Sequence, residues 1–497
     1  MKIDVKSNTV DAVGAGIPKD DKKCSLIVIG AGPGGYETAV RAVRAGLEVT
    51  LVTSGPLGGT CLNAGCIPTK CLCHSAEHAM TLSSYGLPLP DGFWEKSLAH
   101  KAATVEKLRA GVSSLLKGVN VVYGTASFVD SKTVKVTSEA DAVTLLTADK
   151  IIIATGSESA SLPIPGADLP GVLDSTAILE LTEIPSSLTV IGGGVIGLEF
   201  ASIFAALGTE VTVLEYCKNL LPHFDVDLAK RLKQSLGKRG INIVNQAQVT
   251  EICFSEGHTA ESMKVGHKSN DAAVNSNSLT VKYLCKDKEC SVSSDKVLMA
   301  VGRRPRTAAL NLESAGVEYT KRGISVDSQM RTSNPDVYAI GDVNGIMMLA
   351  HTAVAQGKVA LNSILDSLPP FASAKHCMIR TDIVPAAVFT VPEVASVGLT
   401  EEECEAKGIE YKTVKSFYRA NGKALAMDEP EGYCKIIVAI GGEVPGQILG
   451  CHIIGAHSSD LIAEIAALMN FSATLDDLDN IIHAHPTLSE ILVSGIV

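Results

Sequence analysis

Two segments of the chain repeat one pattern, in which a short apolar run leads into a glycine-rich turn and then a helix. Residues 26–29 run into GAGPGG (30–35), and residues 188–191 run into GGGVIG (192–197). In a βαβ unit such glycines let the backbone approach a pyrophosphate, and the N-terminus of the following helix stabilises its charge. Each segment continues into a second apolar strand. The sequence therefore predicts an α/β fold with two Rossmann-like dinucleotide-binding domains.

The two units differ at the end of their second strand. Glu215 lies 23 residues beyond Gly192, where an acidic side chain accepts hydrogen bonds from a ribose 2′-hydroxyl, so it favours NAD over NADP. The residue 23 beyond Gly30 is Thr53, whose hydroxyl offers a weaker contact to a ribose. The turns themselves are predicted to contact the dinucleotides through their glycines, namely Gly30, Gly32 and Gly35 in the first unit and Gly192, Gly194 and Gly197 in the second.

A segment between the two units, GGTCLNAGCIPTK (58–70), holds Cys61 and Cys66 five residues apart. In a regular α-helix this spacing separates the Cα atoms by roughly 8 to 9 Å, whereas a disulfide needs less than about 7 Å. The glycines of the segment allow an irregular backbone, and Pro68 suits the first turn of a helix. We predict a redox disulfide beside a helix N-terminus, which favours a thiolate when the bridge is reduced.

Length, charge and cysteine usage limit the possible functions. A chain of 497 residues is too long for one core and should form about three or four domains. The net charge of −11 argues against a nucleic-acid surface or an anionic membrane patch, and no apolar run reaches the roughly 18 residues of a membrane-spanning helix. The 13 cysteines lack the density of a disulfide scaffold, and we interpret Cys285 and Cys290 as incidental residues of a hairpin. This usage favours a reducing compartment, the cytoplasm, in which a single working disulfide is catalytic.

Changes of pattern predict the domain boundaries. A strand at residues 150–153 runs into a stretch rich in proline and glycine, and residues 297–301 leave the second unit in a similar way. From about residue 377 the chain alternates between strands and apolar helices, which is typical of an α+β domain. We predict a polar N-terminal tail (1–24), the first part of one nucleotide domain (25–157), a second nucleotide domain (158–296), a central segment that completes the first (297–376) and a C-terminal domain (377–497).

The octapeptide HAHPTLSE (483–490) carries a candidate acid-base pair. Glu490 lies five residues beyond His485 and could orient and charge-stabilise its imidazole for proton transfer near neutral pH. The same peptide matches a helix capping box, Thr487-x-x-Glu490, in which the carboxylate satisfies backbone donors. His483 could equally be a surface residue. The residues alone leave these interpretations open.

Residues 26–490 as a whole resemble the pyridine nucleotide-disulfide oxidoreductases of the glutathione reductase class, with the motifs in the order of that family. The 58–70 segment and HAHPTLSE are most similar to members that act on dihydrolipoamide. The resemblance implies a C-terminal dimerisation domain, one tightly bound FAD per subunit, and NAD as co-substrate. The implied reaction oxidises protein-bound dihydrolipoamide to lipoamide through a Cys61/Cys66 disulfide and FAD, with reduction of NAD. The implied partners are a second copy of the chain in a homodimer and the lipoyl-bearing carrier domains of 2-oxoacid dehydrogenase or glycine cleavage complexes.

The resemblance also implies residue roles. Cys61 would be the thiol that meets substrate and Cys66 the thiol nearest the flavin, with Lys70 beside the flavin ring and paired with Glu199. Further implied FAD contacts are Gly124, Thr155, Gly156, Ser157, Asp342, Met347, Met348, Leu349, Ala350 and His351, and the implied NAD contacts are Val249 and Gly302. Without the resemblance, a turn aspartate after glycine is the better interpretation of Asp342.

In the family, His485 and Glu490 would come from the partner subunit and reach the two cysteines. Thr53 departs from the pattern, since the usual residue is glutamate, and this leaves the FAD affinity open. One alternative is a related NAD(P)H-dependent disulfide reductase with another substrate, and a second is a non-catalytic nucleotide-binding protein. No cysteine follows Cys451, which disfavours the members with a C-terminal metal-handling cysteine pair, and we assign no metal site.

Overall fold

The computed structural model describes residues 22–255, 278–367 and 380–496. Two sheets built around parallel strands and one antiparallel sheet organise these residues into two nucleotide domains and a C-terminal α+β domain, which confirms the predicted fold class. The predicted tail up to residue 21 and the predicted boundary at 376–377 lie outside the described residues, and residues 22–24 already belong to the first strand.

The first domain contains a seven-stranded sheet with a parallel centre. Leu26 and Ile27 point to opposite faces of its first strand and are both fully buried, as is typical of a central parallel strand. The strands are Lys22–Ile29, Val49–Thr53, Asn120–Tyr123, Thr125–Phe128, Thr133–Thr137, Val143–Ile153 and Val337–Ala339, with a small hairpin of Tyr319–Thr320 and Gly323–Ile324. The helices are Pro33–Arg44, Gly59–Ala64, Cys66–Ser84, Phe93–Leu115 and Ala350–Ser367, with 3₁₀ turns at Leu312–Ala315 and Gly341–Asn344.

The second domain repeats the βαβ arrangement in a five-stranded parallel sheet. Its strands are Val172–Leu173, Ser187–Ile191, Glu210–Glu215, Asn242–Asn245 and Lys296–Met299, its helices are Val195–Ala206 and Val226–Lys238, and a 3₁₀ turn spans Ala177–Glu180. An antiparallel meander of Ala247–Phe254, Leu279–Cys285 and Lys288–Ser294 packs beside it. Cys285 and Cys290 lie on the last two strands of this meander as free thiols, which confirms the predicted hairpin.

The chain passes between the two nucleotide domains through an antiparallel pair of short strands, Ser157–Ser159 and Arg303–Pro305. The structure places the return crossing later than the predicted boundary after residue 296. Strand Lys296–Met299 pairs in parallel with Ser187–Ile191 and therefore belongs to the second sheet. An apolar parallel strand has the same sequence pattern in either sheet, so its partner was not readable from the sequence.

The C-terminal domain is a five-stranded antiparallel sheet with helices on it. Its strands are Ala386–Val388, Val394–Gly398, Tyr411–Phe417, Tyr433–Ala439 and Ile448–Ile454. Its helices are Glu401–Lys407, Gly422–Ala426, Ser458–Asn470 and Leu475–Asp479, and 3₁₀ turns span Tyr418–Ala420 and Leu488–Leu492. Within the described parts of the chain, no helix has the length and apolar character needed to cross a membrane.

A buried ionic cluster joins the second domain to the C-terminal sheet. Lys435 has no exposed side-chain surface, and its Nζ lies 2.7 Å from a carboxylate oxygen of Asp225 and 2.6 Å from one of Glu401. Asp225 is also buried and caps helix Val226–Lys238 by accepting a hydrogen bond from the Leu228 amide (3.1 Å). An uncompensated charge in such an interior is costly, so the ammonium and the carboxylates depend on one another across the domain boundary.

Replacing Lys435 with methionine should destabilise the protein strongly, because the substitution leaves the Asp225 carboxylate buried without its counter-ion. Loss of one partner of a buried pair costs about 3–5 kcal/mol. The urea midpoint followed by circular dichroism measures the effect. Lys415→Met is the matched control, since Lys415 pairs with Asp227 at the surface (3.3 Å) and its loss should cost less than about 1 kcal/mol. Equal midpoints for the two variants would contradict this account.

Candidate active site

The two cysteines of the 58–70 segment lie on either side of a break between two helices. Helix Gly59–Ala64 carries Cys61, and helix Cys66–Ser84 begins with Cys66 itself. Gly65 separates them with φ −152° and ψ −110°, a conformation outside the helical region. The predicted irregular backbone is thus confirmed, and it brings the two side chains into a hydrogen bond. Both are free thiols in the structure, which is the reduced form of such a pair.

The charge of this dithiol is unevenly divided. The hydrogen bond from the Cys61 thiol lowers the pKa of Cys66 to about 7, against the effect of burial and with a further lowering from Lys70. The same hydrogen bond, together with burial, raises the pKa of Cys61. Cys66 also occupies the first position of its helix, where the partial positive charge of the N-terminus favours an anion. In the reduced pair the negative charge therefore lies on Cys66 and the proton on Cys61.

The dithiol segment is docked directly on the glycine turn of the first nucleotide unit. The Gly58 amide donates a hydrogen bond to the Ala31 carbonyl (2.9 Å). Gly59 has φ +59°, and a Cβ at this position would lie 2.6 Å from the Cα of Gly32. Only glycine permits this contact, which fixes the cysteines beside the phosphate-binding turn.

Lys70 lies one helical turn after Cys66 and joins the first domain to the second. Its Nζ lies 3.0 and 2.9 Å from the two carboxylate oxygens of Glu199, a buried residue on helix Val195–Ala206. The same carboxylate accepts a hydrogen bond from the Phe389 amide (3.0 Å), and the ammonium lies 4.2 Å from the centre of the Phe389 ring. The implied Lys70–Glu199 pairing is therefore present. Sequence reasoning missed Phe389, because nothing local marks a residue 190 positions from its partner.

The first glycine turn has the shape that a dinucleotide pyrophosphate requires. Gly30 has φ +113°, and a Cβ at Gly35 would lie 1.8 Å from the Gly30 carbonyl oxygen, so both positions are limited to glycine. A Cβ at Gly32 would meet no atom within 4 Å, and Gly156, with φ +74°, also faces open space. An open cradle at the N-terminus of helix Pro33–Arg44 fits the diphosphate of FAD.

A carboxylate follows another parallel strand of the same sheet. Asp342 lies in the 3₁₀ turn after strand Val337–Ala339 and accepts a hydrogen bond from the Ser157 hydroxyl (2.5 Å). Arg303 donates to that hydroxyl through Nε (2.7 Å) and to the Ser157 carbonyl through Nη2 (2.9 Å). Asp342 is therefore anchored and keeps an oxygen for polyol hydroxyls of a flavin. Sequence reasoning missed Arg303 as a site residue, because it lies in the short strand at the crossing between the domains and not in a recognisable motif.

The other implied flavin contacts lie on further elements of the first domain. Gly124 donates its amide to the Thr53 carbonyl (2.9 Å), and the Thr155 hydroxyl donates to the Arg306 carbonyl (2.8 Å). Helix Ala350–Ser367 begins at the implied ring-contacting stretch, and His351 Nε2 lies 2.8 Å from the Pro385 carbonyl oxygen. This helix packs on Pro33–Arg44 so closely that a Cβ at Gly357 would lie 2.0 Å from the Thr38 hydroxyl.

The second glycine turn repeats the shape of the first. A Cβ at Gly197 would lie 2.0 Å from the Gly192 carbonyl oxygen, whereas Gly194 faces open space. Glu215 is buried at the end of its strand and accepts hydrogen bonds from the Gly193 and Cys217 amides, both at 2.5 Å. A carboxylate held at this point suits a ribose diol and repels a 2′-phosphate. Of the other implied NAD contacts, Val249 is buried in the meander and Gly302 has φ +115° with open space at its Cβ.

His485 and Glu490 form a pair in the C-terminal domain. His485 Nδ1 lies 2.8 Å from one oxygen of Glu490, and the other oxygen accepts a hydrogen bond from the Thr487 amide (2.8 Å). The backbone bond and then the imidazole lower the pKa of Glu490. The His485 side chain is 79% exposed, and within the described chain no hydrogen bond or ion pair connects it to Cys61 or Cys66. His483 is held separately, with Nε2 2.9 Å from Glu464.

Comparison with known proteins identifies the family. Residues 24–357 match the family described as pyridine nucleotide-disulphide oxidoreductase. Residues 384–495 match its dimerisation domain. The chain belongs to the pyridine nucleotide-disulphide oxidoreductase family. It is a flavin-dependent disulphide oxidoreductase with FAD as cofactor and NAD as co-substrate.

Curated relatives and solved structures resemble almost the whole chain. A dihydrolipoyl dehydrogenase of Geobacillus stearothermophilus is 39% identical, with 94% of each chain covered. One from Bacillus subtilis is 38% identical, covering 94% of this chain and 97% of the relative. The Cu(II) complex of the HOCl-induced flavoprotein disulfide reductase RclA from Escherichia coli matches with a TM-score of 0.80 and 29% identity over 95% of this chain and 99% of that one. The similarity therefore extends across all three domains.

The charge division in the dithiol can be tested by removing Lys70. In the reduced wild-type protein, alkylation of Cys66 by iodoacetamide should rise with pH around a midpoint of about 7, since only the thiolate reacts. Lys70→Met removes a nearby positive charge, so the midpoint should move upward by about one pH unit. Mass spectrometry distinguishes labelling of Cys66 from that of Cys61. The surface variant Lys96→Met serves as control, and an unchanged midpoint in Lys70→Met would contradict the assignment.

Proposed function

We propose that the chain oxidises protein-bound dihydrolipoamide to lipoamide and reduces NAD, working as a homodimer in the cytoplasm. The observation that carries this proposal is the dithiol itself, with its thiolate on Cys66 and its proton on Cys61, held between the phosphate-binding turn and the Lys70–Glu199 pair. The dihydrolipoyl dehydrogenases that cover the whole chain support the choice of substrate. Lipoyl-bearing carrier domains of 2-oxoacid dehydrogenase or glycine cleavage complexes are the proposed partners.

Two groups of the chain carry the proposed thiol chemistry, the disulfide form of Cys61–Cys66 and the base His485. His485 takes a proton from one substrate thiol, and the resulting thiolate attacks Sγ of Cys61. The Cys61–Cys66 bond breaks, and Cys66 leaves as a thiolate. The second substrate thiol then attacks the substrate sulfur bound to Cys61 and passes its proton to the departing Cys61 sulfur, which releases lipoamide as a cyclic disulfide. When bound, FAD accepts the two electrons of the dithiol and NAD receives them as a hydride.

The asymmetry of the two cysteines sets the direction of attack. In thiol-disulfide exchange the sulfur of lower pKa leaves faster. While Cys61 is bonded to the substrate sulfur it has no proton to donate, but Lys70 and the helix N-terminus still stabilise the thiolate of Cys66, so the departing charge develops there. When the substrate attacks Cys61, the sulfur that leaves is Cys66, which is the better leaving group of the two. The electrons then reside on Cys66, the sulfur assigned to the flavin side.

A homodimer would complete the site with a base. His485 is largely exposed and Ile482, in the same loop, is 97% exposed, within a region that matches a dimerisation domain. An oriented imidazole and an uncovered apolar side chain suit a surface that meets the partner's dithiol. Glu490, ionised and bound to Nδ1, keeps Nε2 as the nitrogen that receives the proton.

Replacing Cys66 with serine should leave the protein yellow with bound flavin but abolish NAD reduction by dihydrolipoamide, because no disulfide can form. Turnover with free dihydrolipoamide and with dihydrolipoyl carrier domains measures the loss. Cys290→Ser, on the exposed hairpin, is the control and should keep wild-type turnover. Full activity of the Cys66 variant would refute the assignment, and a strong preference of the wild-type enzyme for NADP over NAD would refute the role of Glu215.

His485→Gln should lower kcat for dihydrolipoamide by about 10²- to 10⁴-fold, the usual contribution of a positioned acid-base group. Reduction of a small dye by NADH does not use this base and should be retained. His457→Gln is the control, since His457 is an exposed histidine of the same domain, 3.7 Å from the Asp460 carboxylate. Equal turnover in the two variants would remove His485 from the mechanism.

A further inference from the structure

The two nucleotide units can be aligned residue by residue from their own hydrogen bonds. The Gly30 amide donates to the Val52 carbonyl (2.7 Å), and the Gly192 amide donates to the Leu214 carbonyl (2.9 Å). The residue that follows each acceptor is Thr53 in the first unit and Glu215 in the second. The structure therefore places these two side chains at equivalent positions, at the end of the second strand beside the glycine turn.

The equivalent side chains offer different chemistry to a ribose. Glu215 presents a carboxylate next to its turn, held by two backbone amides. Thr53 is 6% exposed, and its hydroxyl donates its single proton to the Gly55 carbonyl (3.0 Å). The Gly55 amide also lies 3.4 Å from that hydroxyl. Thr53 is thus shorter than a glutamate and carries no charge, and its turn already uses the proton and one of the two acceptor lone pairs of its hydroxyl.

We infer that the first unit holds the adenosine end of its dinucleotide without a carboxylate, so that the ribose hydroxyls add little to flavin affinity. This inference rests on the proposed placement of FAD in the first unit. A ribose diol donates two hydrogen bonds to a carboxylate, and charge-assisted bonds of this kind are roughly twice as strong as neutral ones. The flavin is then retained by the glycine cradle and by the Asp342 end, and the adenosine ribose is the weak point of the site.

The test compares FAD with its 2′-deoxyadenosine analogue on the full-length apoprotein, with flavin fluorescence as the readout. The wild-type chain should bind the two flavins with Kd values within about threefold of each other. Thr53→Glu should bind FAD about tenfold tighter, since a hydrogen bond to a charged group contributes of the order of that factor. The same variant should prefer FAD over the deoxy analogue by about tenfold. Thr53→Gln has the length without the charge and should stay near wild type.

The outcomes separate this inference from the proposed function. A wild-type chain that loses tenfold or more in affinity for the deoxy analogue overturns the inference, because the hydroxyl would then be firmly held. A folded Thr53→Glu variant with unchanged Kd and unchanged preference overturns it as well. If that variant does not fold, the wild-type comparison alone decides. A wild-type chain that binds neither flavin overturns the proposed function and this inference together.

Discussion

The close approach of Gly59 to Gly32 is the contact on which the rest of this structure depends. Two backbone segments meet where any side chain would separate them, and the Gly58–Ala31 hydrogen bond fixes their register. The contact sets the distance between a dithiol and a phosphate-binding turn, which are separate motifs in the sequence. Helix Cys66–Ser84 follows directly after this segment, and its Lys70 contacts Glu199 of the second domain. A glycine pair thus determines how three functional elements face one another.

The same arrangement explains why the charge rests where it does. Cys66 has the helix N-terminus, the Cys61 proton and the Lys70 ammonium around it, and all of them favour an anion. Cys61 is partly buried and donates its proton to that anion, so its own ionisation is opposed. A symmetrical pair of thiols would share the charge and give no preferred sulfur for attack. The break at Gly65 creates the asymmetry, because it leaves Cys61 inside one short helix and Cys66 at the first position of the next.

Local patterns in the sequence were sufficient to predict the helices and strands. They were insufficient to predict which strands pair and which distant residues contact the site. The apolar run 49–52 marks strand Val49–Thr53, and the apolar run 461–469 marks helix Ser458–Asn470, since periodicity and burial agree in both. The sequence did not predict which sheet contains strand Lys296–Met299, because several apolar strands distant in the chain have the same pattern and could pair with it. Phe389 and Arg303 contact the site through residues more than a hundred positions away, and neither belongs to a local motif. For Gly59 and Gly65 the sequence predicted an irregular backbone, but not the conformation that each residue adopts.

Glu490 shows how two opposed interpretations of a sequence can both hold. A carboxylate has two oxygens, and here one accepts from the Thr487 amide while the other faces His485 Nδ1. The backbone bond is the larger cause of its lowered pKa, so the group that caps the turn is also kept ionised as the pH falls. An imidazole needs that charge to hold its Nδ1 proton and leave Nε2 free. The capping box is therefore compatible with the proposed acid-base pair, because it fixes the orientation and the ionisation state on which that pair would rely.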